Sequence, residues 1–244
     1  MYEFEDSIKA YGKVNLKLKI RGTDEKGYHL LYTIFCKAPI YDTVKLSVAA
    51  DDSDGTIIIN GEHNKTDDLV YKAIKSYYSD MPNYTFYVDY EKNIPIGGGM
   101  AGGSSDAAAI IILLERFSGK LPEETRMNVL TGLGADVAVM YKINNGEGDI
   151  FEGTHYGEVL NKLIVPVPEI EIYKMDTQLS TAFVFDTYDK MGGSGDNDLE
   201  DAARYIVPEI GVKLDELRRE FPDDKVMLSG SGATIFRIKK HTRI

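Results

Sequence analysis

Three stretches of the chain hold residue types at spacings that suit phosphate chemistry. The first is "PIGGGMAGGSSDAA", residues 95–108, with five glycines in fourteen positions. Glycine loses more backbone freedom on folding than any other residue, so such a cluster needs a cause. One cause is a tight turn into a helix. The other is a loop whose bare N–H groups surround a phosphate, with a helix N-terminus behind it adding positive potential. Pro95, Gly97, Gly98, Gly99, Met100, Ala101, Gly102 and Gly103 are the loop candidates, and Ser104 and Ser105 add hydroxyls where the helix starts. Ser104 is also the candidate ligand for a magnesium ion, which prefers oxygen. No Gly-Lys-Ser/Thr follows the glycines, so this is not a Walker A loop. No acidic ribose partner ends a following strand, so it is not a dinucleotide fingerprint.

Lys13 and Asn15 are two apart in "GKVNLKLKI", so both side chains leave one face of a strand. Lys17 and Lys19 share that face, which also fits a plain solvated surface. Asp136 lies in "GLGADVAV", where a lone carboxylate caps a turn or, among small and apolar neighbours, serves as a partly desolvated base. "LSGSGAT", with Ser229, Gly230, Ser231 and Gly232, reads on its own as a hairpin turn. Tyr28 and His29 read on their own as core aromatics.

The elements that must position these residues are visible as patterns. "AYGKVNLKLKI" alternates cleanly and predicts a half-buried strand. A turn at "RGTDEKG" leads to two strands, "YHLLYTIFCKA" and "YDTVKLSVAA", and a turn at "DDSDG" leads to "TIIIN". "TDDLVYKAIKSYYSDM" predicts a helix capped by Thr66, and "NYTFYVDYEKNI" returns to strand before the glycine loop. "SSDAAAIIILLERFSG" is apolar nearly all round until Glu115, the mark of a buried helix, and Gly119 ends it. A helix over 122–131 follows, and turn formers cluster in "NNGEGD" as a boundary. Beyond it come strands around 158–175, helices over 180–190, 197–207 and 209–221, and two short strands about the Gly/Ser turn. Strands and helices are mixed rather than strictly alternating, which favours α+β over a doubly wound sheet.

Bulk properties narrow the function class. A net charge of −11 opposes a nucleic-acid or anionic-membrane partner, and any anionic substrate must be met by local positive groups. The single cysteine, Cys36, forms no intramolecular disulfide and offers no metal cluster, which suits a reducing cytoplasm. "MYEFEDSIKA" lacks the basic start and apolar run of a signal peptide, and no apolar stretch approaches the ~18 residues that span a bilayer.

These pieces, in this order, resemble the GHMP kinase superfamily, whose members include galactokinase and homoserine, mevalonate and phosphomevalonate kinases. "IPIGGGMAGGSSDAAA" is similar to its ATP loop, "GADVAV" to its catalytic-aspartate segment and "LSGSGATIF" to its third motif. "GKVNLKLKIRGTDEKGYHLLYTIF" resembles the opening of one branch, where Lys-x-Asn-Leu is followed by Gly-Tyr-His, and "STAFVF" and "NDLE" resemble further stretches of it. "YGK" stands where Pro-Ala-Lys is usual, and Ala138 where a proline is usual.

The resemblance implies an α+β, two-lobed GHMP kinase fold, with a ribosomal S5-like domain over 1–145 and a ferredoxin-like domain over 146–244. It implies ATP with Mg2+ and, in this branch, a small-molecule substrate with a cytidine diphosphate moiety, handled by a monomer or homodimer. Asp136 is then the base for an acceptor hydroxyl, Lys13 the group that acidifies it and Asn15 a substrate-positioning residue. Tyr28 and Phe185 stack on the base, His29 reads its edge, and Ser229 to Gly232 close over the phosphates. Two alternatives stay open: a kinase for mevalonate, homoserine or a sugar, and a GHMP-fold protein that binds without catalysis. The Tyr28-His29 pair speaks against the first, and intact Lys13 and Asp136 against the second.

Overall fold

A computed structural model describes residues 2–51, 55–63 and 65–240, so the turn expected at 51–55 falls largely outside the described residues. In chain order the elements are β1 (Phe4–Thr23), β2 (His29–Ala50), β3 (Thr56–Ile59), β4 (Glu62–His63), α1 (Leu69–Tyr77), β5 (Tyr84–Glu91), α2 (Gly102–Ser118), α3 (Glu123–Leu133), α4 (Val137–Asn144), β6 (Ile150–His155), β7 (Val159–Lys162), β8 (Ile170–Tyr173), α5 (Thr181–Met191), α6 (Glu200–Ile206), α7 (Pro208–Glu220), β9 (Lys225–Leu228) and β10 (Ile235–Ile238).

The turn between β1 and β2 is built on Asp24, whose Oδ1 accepts the backbone N–H groups of Lys26 (2.9 Å) and Tyr28 (2.8 Å). The two strands expected at 28–38 and 41–50 are one continuous strand, β2. Pro39 cannot donate to a ladder. It falls between the stretch that pairs with β6, 31–36, and the stretch that pairs with β5, 43–50, and so takes a bond from neither. β6 is a strand that the sequence pattern did not separate from the turn before it.

The residues group into two compact units, each assembled from separate pieces of chain. The first takes the residues up to Tyr11, then Ile40–Asn93 and Ala101–Glu147. Its strands run in the order β4-β3-β5-β2, with β3 parallel to β5 and β5 antiparallel to β2. Helix α2 is its centre: every residue from Ser105 to Glu115 is buried, as its all-round apolar pattern requires. Glu115 is tolerated there because the Tyr141 hydroxyl donates to it at 2.6 Å and Arg126 lies 3.4 Å away. Helix α1 is capped by Asp68, which accepts from Val70 N–H at 2.8 Å, and not by Thr66, because Asp68 immediately precedes the first helical residue.

The second unit takes Gly12–Pro39, Ile94–Met100 and the chain from Gly148 on. In it β2 pairs with β6 and β6 with β7, all antiparallel, while a separate sheet runs β8-β10-β9. Leu18, Val184, Leu199, Ile210, Leu214 and Ile235 meet in its core, drawn from β1, α5, the start of α6, α7 and β10. A cut of the sequence at 145/146 and this grouping are different partitions: the last change of unit falls at 147/148, but Gly12–Pro39 and Ile94–Met100 group with the C-terminal residues. The reason is the length of β1 and β2, each of which supplies residues to both units.

Candidate active site

Lys13 and Asn15 do not form a solvated face; they are 5% and 2% exposed. The Lys13 ammonium donates to Asn15 Oδ1 at 2.8 Å and to the Gly99 carbonyl at 2.9 Å, and lies 5.7 Å from the centre of the Phe35 ring. Asn15 Nδ2 donates to Thr33 Oγ1 at 2.7 Å, and that hydroxyl donates to the Lys17 carbonyl at 2.8 Å. The amide of Asn15 is thereby fixed with its oxygen toward Lys13. Lys13 N–H also donates to the Met100 carbonyl at 3.0 Å, so the strand runs directly against the glycine loop.

The glycines of that loop divide by what they face. A Cβ on Gly98 would sit 2.4 Å from Thr234 Oγ1. A Cβ on Gly99, whose φ is +71°, would sit 2.0 Å from the Ser229 carbonyl and 2.9 Å from Gly232 N. The Thr234 side chain lies on Gly98 and the backbone of Ser229 and Gly232 on Gly99, which by itself requires both to be bare. Hydrogen bonds seal that contact: Ala233 N–H to the Gly97 carbonyl and Thr234 N–H to the Gly98 carbonyl, both 3.2 Å, and the Ser229 hydroxyl to the Gly99 carbonyl at 3.1 Å. Ser231 is buried with its hydroxyl 3.1 Å from that of Thr181. The Gly/Ser turn is therefore both a hairpin between β9 and β10 and the cover of the loop.

Where the loop enters α2, Ala101 holds a left-handed conformation (φ +58°), and the helix starts at Gly102, two residues before Ser104. The first helical bond is Ser105 N–H to the Ala101 carbonyl at 2.8 Å, which leaves the amides of Gly102, Gly103 and Ser104 ahead of the ladder. A Cβ on exposed Gly103 would meet nothing within 4 Å. Open space over unsatisfied amides at the positive end of a 17-residue helix is where an anion binds. Ser105 does not belong to that surface. Its hydroxyl donates to the Tyr11 carbonyl at 2.6 Å and accepts from Asn144 Nδ2 at 3.0 Å, so it is consumed in the core. Next to it, Asp106 is buried against Lys92 with one carboxylate oxygen unpartnered, and burial pushes its carboxyl up to about 7 against the pull of Lys92.

Asp136 immediately precedes α4 and is half-buried, and its side chain makes no capping bond to that helix. Among the described residues no group of three or more His, Cys, Asp or Glu side chains forms a metal cage. Half-buried Ser104, beside the open space at Gly103, fits a magnesium ion held mainly by phosphate oxygens.

The aromatic residues form two groups. His29 and Phe185 lie with ring centres 4.7 Å apart at 32°, Tyr188 meets His29 edge-on at 6.3 Å, and His29 Nε2 is 2.7 Å from Asp189 Oδ1. Tyr28 is 62% exposed and meets Tyr156 edge-on at 5.8 Å. Tyr28 is exposed and His29 half-buried, so neither is a fully buried core aromatic. The Phe185 ring has His29 rather than Tyr28 as its neighbour, so Asp189 and Tyr156 are members of these groups that sequence reasoning did not name.

It also gave no role to Asn197. This residue is 2% exposed, and its amide donates to the Leu228 and Gly230 carbonyls at 3.0 and 2.8 Å. The signal was the "NDLE" similarity, which marks a stretch without saying what it holds.

A glycine loop under a Gly/Ser turn, leading into a buried helix, is the arrangement of the GHMP kinases, and a profile described as GHMP kinases N terminal domain matches residues 68–151. A solved structure of 4-(cytidine 5'-diphospho)-2C-methyl-D-erythritol kinase superposes with a TM-score of 0.79 at 24% identity, covering 96% of this chain and 90% of that one. A mevalonate kinase structure shares the fold at a TM-score of 0.62 and 13% identity, covering 96% and 92%. The 4-diphosphocytidyl-2-C-methyl-D-erythritol kinase of Desulfitobacterium hafniense (strain Y51) is 31% identical over 94% of this chain and 85% of its own length. That of Nitrosomonas europaea is 35% identical over 95% and 87%. The chain belongs to this kinase family.

Proposed function

We propose that the protein transfers the γ-phosphoryl group of ATP to the 2-hydroxyl of 4-diphosphocytidyl-2-C-methyl-D-erythritol, a step in the non-mevalonate route to isoprenoid precursors, in the cytoplasm. Membership of the family supports the reaction class. Within the structure, the observation that carries the reading is the buried Lys13 ammonium bonded to the loop carbonyl of Gly99. Burying an ammonium costs several kcal/mol, and an apolar residue of similar volume would serve packing as well or better. Among the described residues no helix is long and apolar enough to cross a membrane, which accords with a dissolved substrate.

In this reading the amides of Gly102, Gly103 and Ser104 take the nucleotide's phosphate oxygens, with the α2 dipole behind them. The Ser104 hydroxyl would hold Mg2+, which when bound would supply neutralisation of the phosphate charge. Asp136 accepts the proton of the attacking hydroxyl as its oxygen bonds to the γ-phosphorus and the bond to ADP breaks. Lys13 stabilises the hydroxyl oxygen as it loses that proton and the charge on the transferring group. Asn15 fixes the direction of the Lys13 ammonium. Tyr28 and Phe185 supply apolar faces for the cytosine ring and His29 its edge contact. Such a transfer needs alignment and charge neutralisation more than covalent help.

A coupled ADP-release assay tests the proposal, with the cytidine alcohol set against mevalonate, homoserine and galactose. Turnover with the cytidine alcohol alone is expected. Turnover confined to another acceptor refutes the substrate, and none with any refutes the kinase reading.

A further inference from the structure

Lys13 depends on residues far from it in sequence, and one buried side chain sits where these dependences meet. Asn197 makes three of the four side-chain hydrogen bonds open to it: Nδ2 donates to the Leu228 and Gly230 carbonyls, and Oδ1 accepts from Leu199 N–H at 3.0 Å. Between those two carbonyls lies Ser229, whose hydroxyl donates to the Gly99 carbonyl, the same oxygen that receives the Lys13 ammonium. A Cβ on Gly230 would stand 3.2 Å from Asn15 Oδ1 and 3.4 Å from Lys13 Nζ, so the turn's backbone leans on both side chains.

The same segment also holds the strand that carries Lys13. Leu18 N–H donates to the Asp196 carbonyl at 2.8 Å and Asp198 N–H to the Leu18 carbonyl at 3.0 Å. Ile20 N–H donates to Asp198 Oδ2 at 2.9 Å, and Lys19 pairs with the same carboxylate. Residues 196–198 thus grip β1 just beyond Asn15, while Asn197 grips the turn on the other side of the ammonium.

We propose that Asn197 is a positioning residue for phosphoryl transfer: it fixes the Leu228–Gly230 backbone, and through Ser229 and Gly99 the place of the Lys13 ammonium. The proposal rests on the reading of Lys13 given above. Asn197 is 2% exposed and its amide faces backbone groups, so its loss acts on the rate of the chemical step more than on binding. A residue that only held the fold would lower stability and rate together.

The test compares Asn197→Asp with Leu199→Ala. The first keeps the acceptor for Leu199 N–H and turns an oxygen toward the two carbonyls. The second removes a side chain 1% exposed in the same segment and none of these bonds. Steady-state kcat, both KM values and Tm are measured for each. Asn197→Asp is expected to lose roughly tenfold to a hundredfold in kcat with the ATP KM little changed, as a misplaced catalytic group does. Leu199→Ala is expected to keep kcat within about twofold while losing as much Tm, since it removes no group acting in the transition state. Equal losses of kcat at equal losses of Tm, or an unchanged kcat in Asn197→Asp, overturn the proposal.

Hydrogen exchange of the Asn197 side-chain amide in the unmodified protein gives a reading that needs no variant. Protection is expected, and exchange as fast as that of an exposed amide overturns the proposal even if Asn197→Asp fails to fold. Wild-type protein that turns over no acceptor while this amide stays protected refutes the kinase reading itself, and the role of Asn197 with it.

Discussion

Replacing Gly103 by alanine separates a glycine kept for a ligand from a glycine kept for the fold. Gly103 lies in the first turn of α2, and the added methyl meets nothing within 4 Å. A helical glycine costs about 0.5–1 kcal/mol relative to alanine. At roughly 2–4 °C per kcal/mol for a chain of this size, Gly103→Ala should raise Tm by about 1–4 °C. The same methyl occupies the space through which a phosphate reaches the first-turn amides. Losing one hydrogen bond to a charged group costs about 1.5–3 kcal/mol, which is roughly a 10- to 150-fold rise in Kd.

Stability and ATP affinity are thus expected to move in opposite directions, a pattern that misfolding cannot imitate. Scanning calorimetry gives the first, and titration calorimetry with a non-hydrolysable ATP analogue the second. A raised Tm with unchanged affinity would refute phosphate binding at these amides. Gly99→Ala is the contrast: its Cβ would lie 2.0 Å from a backbone oxygen at φ +71°. Strain on the order of 1–3 kcal/mol from φ alone should destabilise the protein without ligand, so lost affinity there says nothing about phosphate.

Asp136→Asn and Lys13→Ala should each keep the fold and ATP binding yet lose several orders of magnitude in kcat; near-normal rates in both would remove these residues from the mechanism. Tyr28→Ala and Phe185→Ala should raise the acceptor KM far more than the ATP KM, since stacking is worth roughly 1–3 kcal/mol per base. CMP should compete with the acceptor, and CMP competing with ATP alone would sink the cytidine site. The carboxyl of Asp106, raised to about 7, keeps its proton in the folded protein over a range where the unfolded chain has released it. The folded state then binds more protons between about pH 4 and 7, and stability falls as pH rises through that window. Asp106→Asn should lack that part of the Tm decline, and parallel Tm–pH curves for the two proteins would refute it.

The sequence was most informative where cause and effect lie close together. The all-round apolar run of α2, Gly119 at its end and the existence of strand β1 follow from local pattern, and the structure contains them. But β1 is buried on both faces at residues 12–15, where the alternation predicted one polar face. The continuity of β2 through Pro39 was not legible, because whether a missing N–H matters depends on which strands lie beside it. For the same reason the lysines of β1 look alike in sequence, although Lys13 is buried and Lys19 pairs with Asp198. The glycine loop was found, but its packing was not: Gly98 and Gly99 lie against residues 229–234, and that distance in sequence hides the contact. Ser105 was misjudged likewise, its partners being Tyr11 and Asn144. Local chemistry marks which residues are unusual. Only the fold says what each faces.

Because the second unit draws on Gly12–Pro39 as well as on residues near the end of the chain, its assembly on the ribosome must wait. The strand with Lys13 and Asn15 is synthesised roughly 200 residues before Asn197, Ser229 and β10. At about 5–20 residues per second that interval is roughly 10–40 s. Throughout it Leu18, almost fully buried in the finished protein, lacks the cover of Val184, Leu199, Leu214 and Ile235. The nascent chain therefore carries an apolar strand uncovered through that interval, and chaperone binding should centre there. For the same reason the residues from Gly148 on do not by themselves make up the second unit, which needs Gly12–Pro39 and Ile94–Met100 as well.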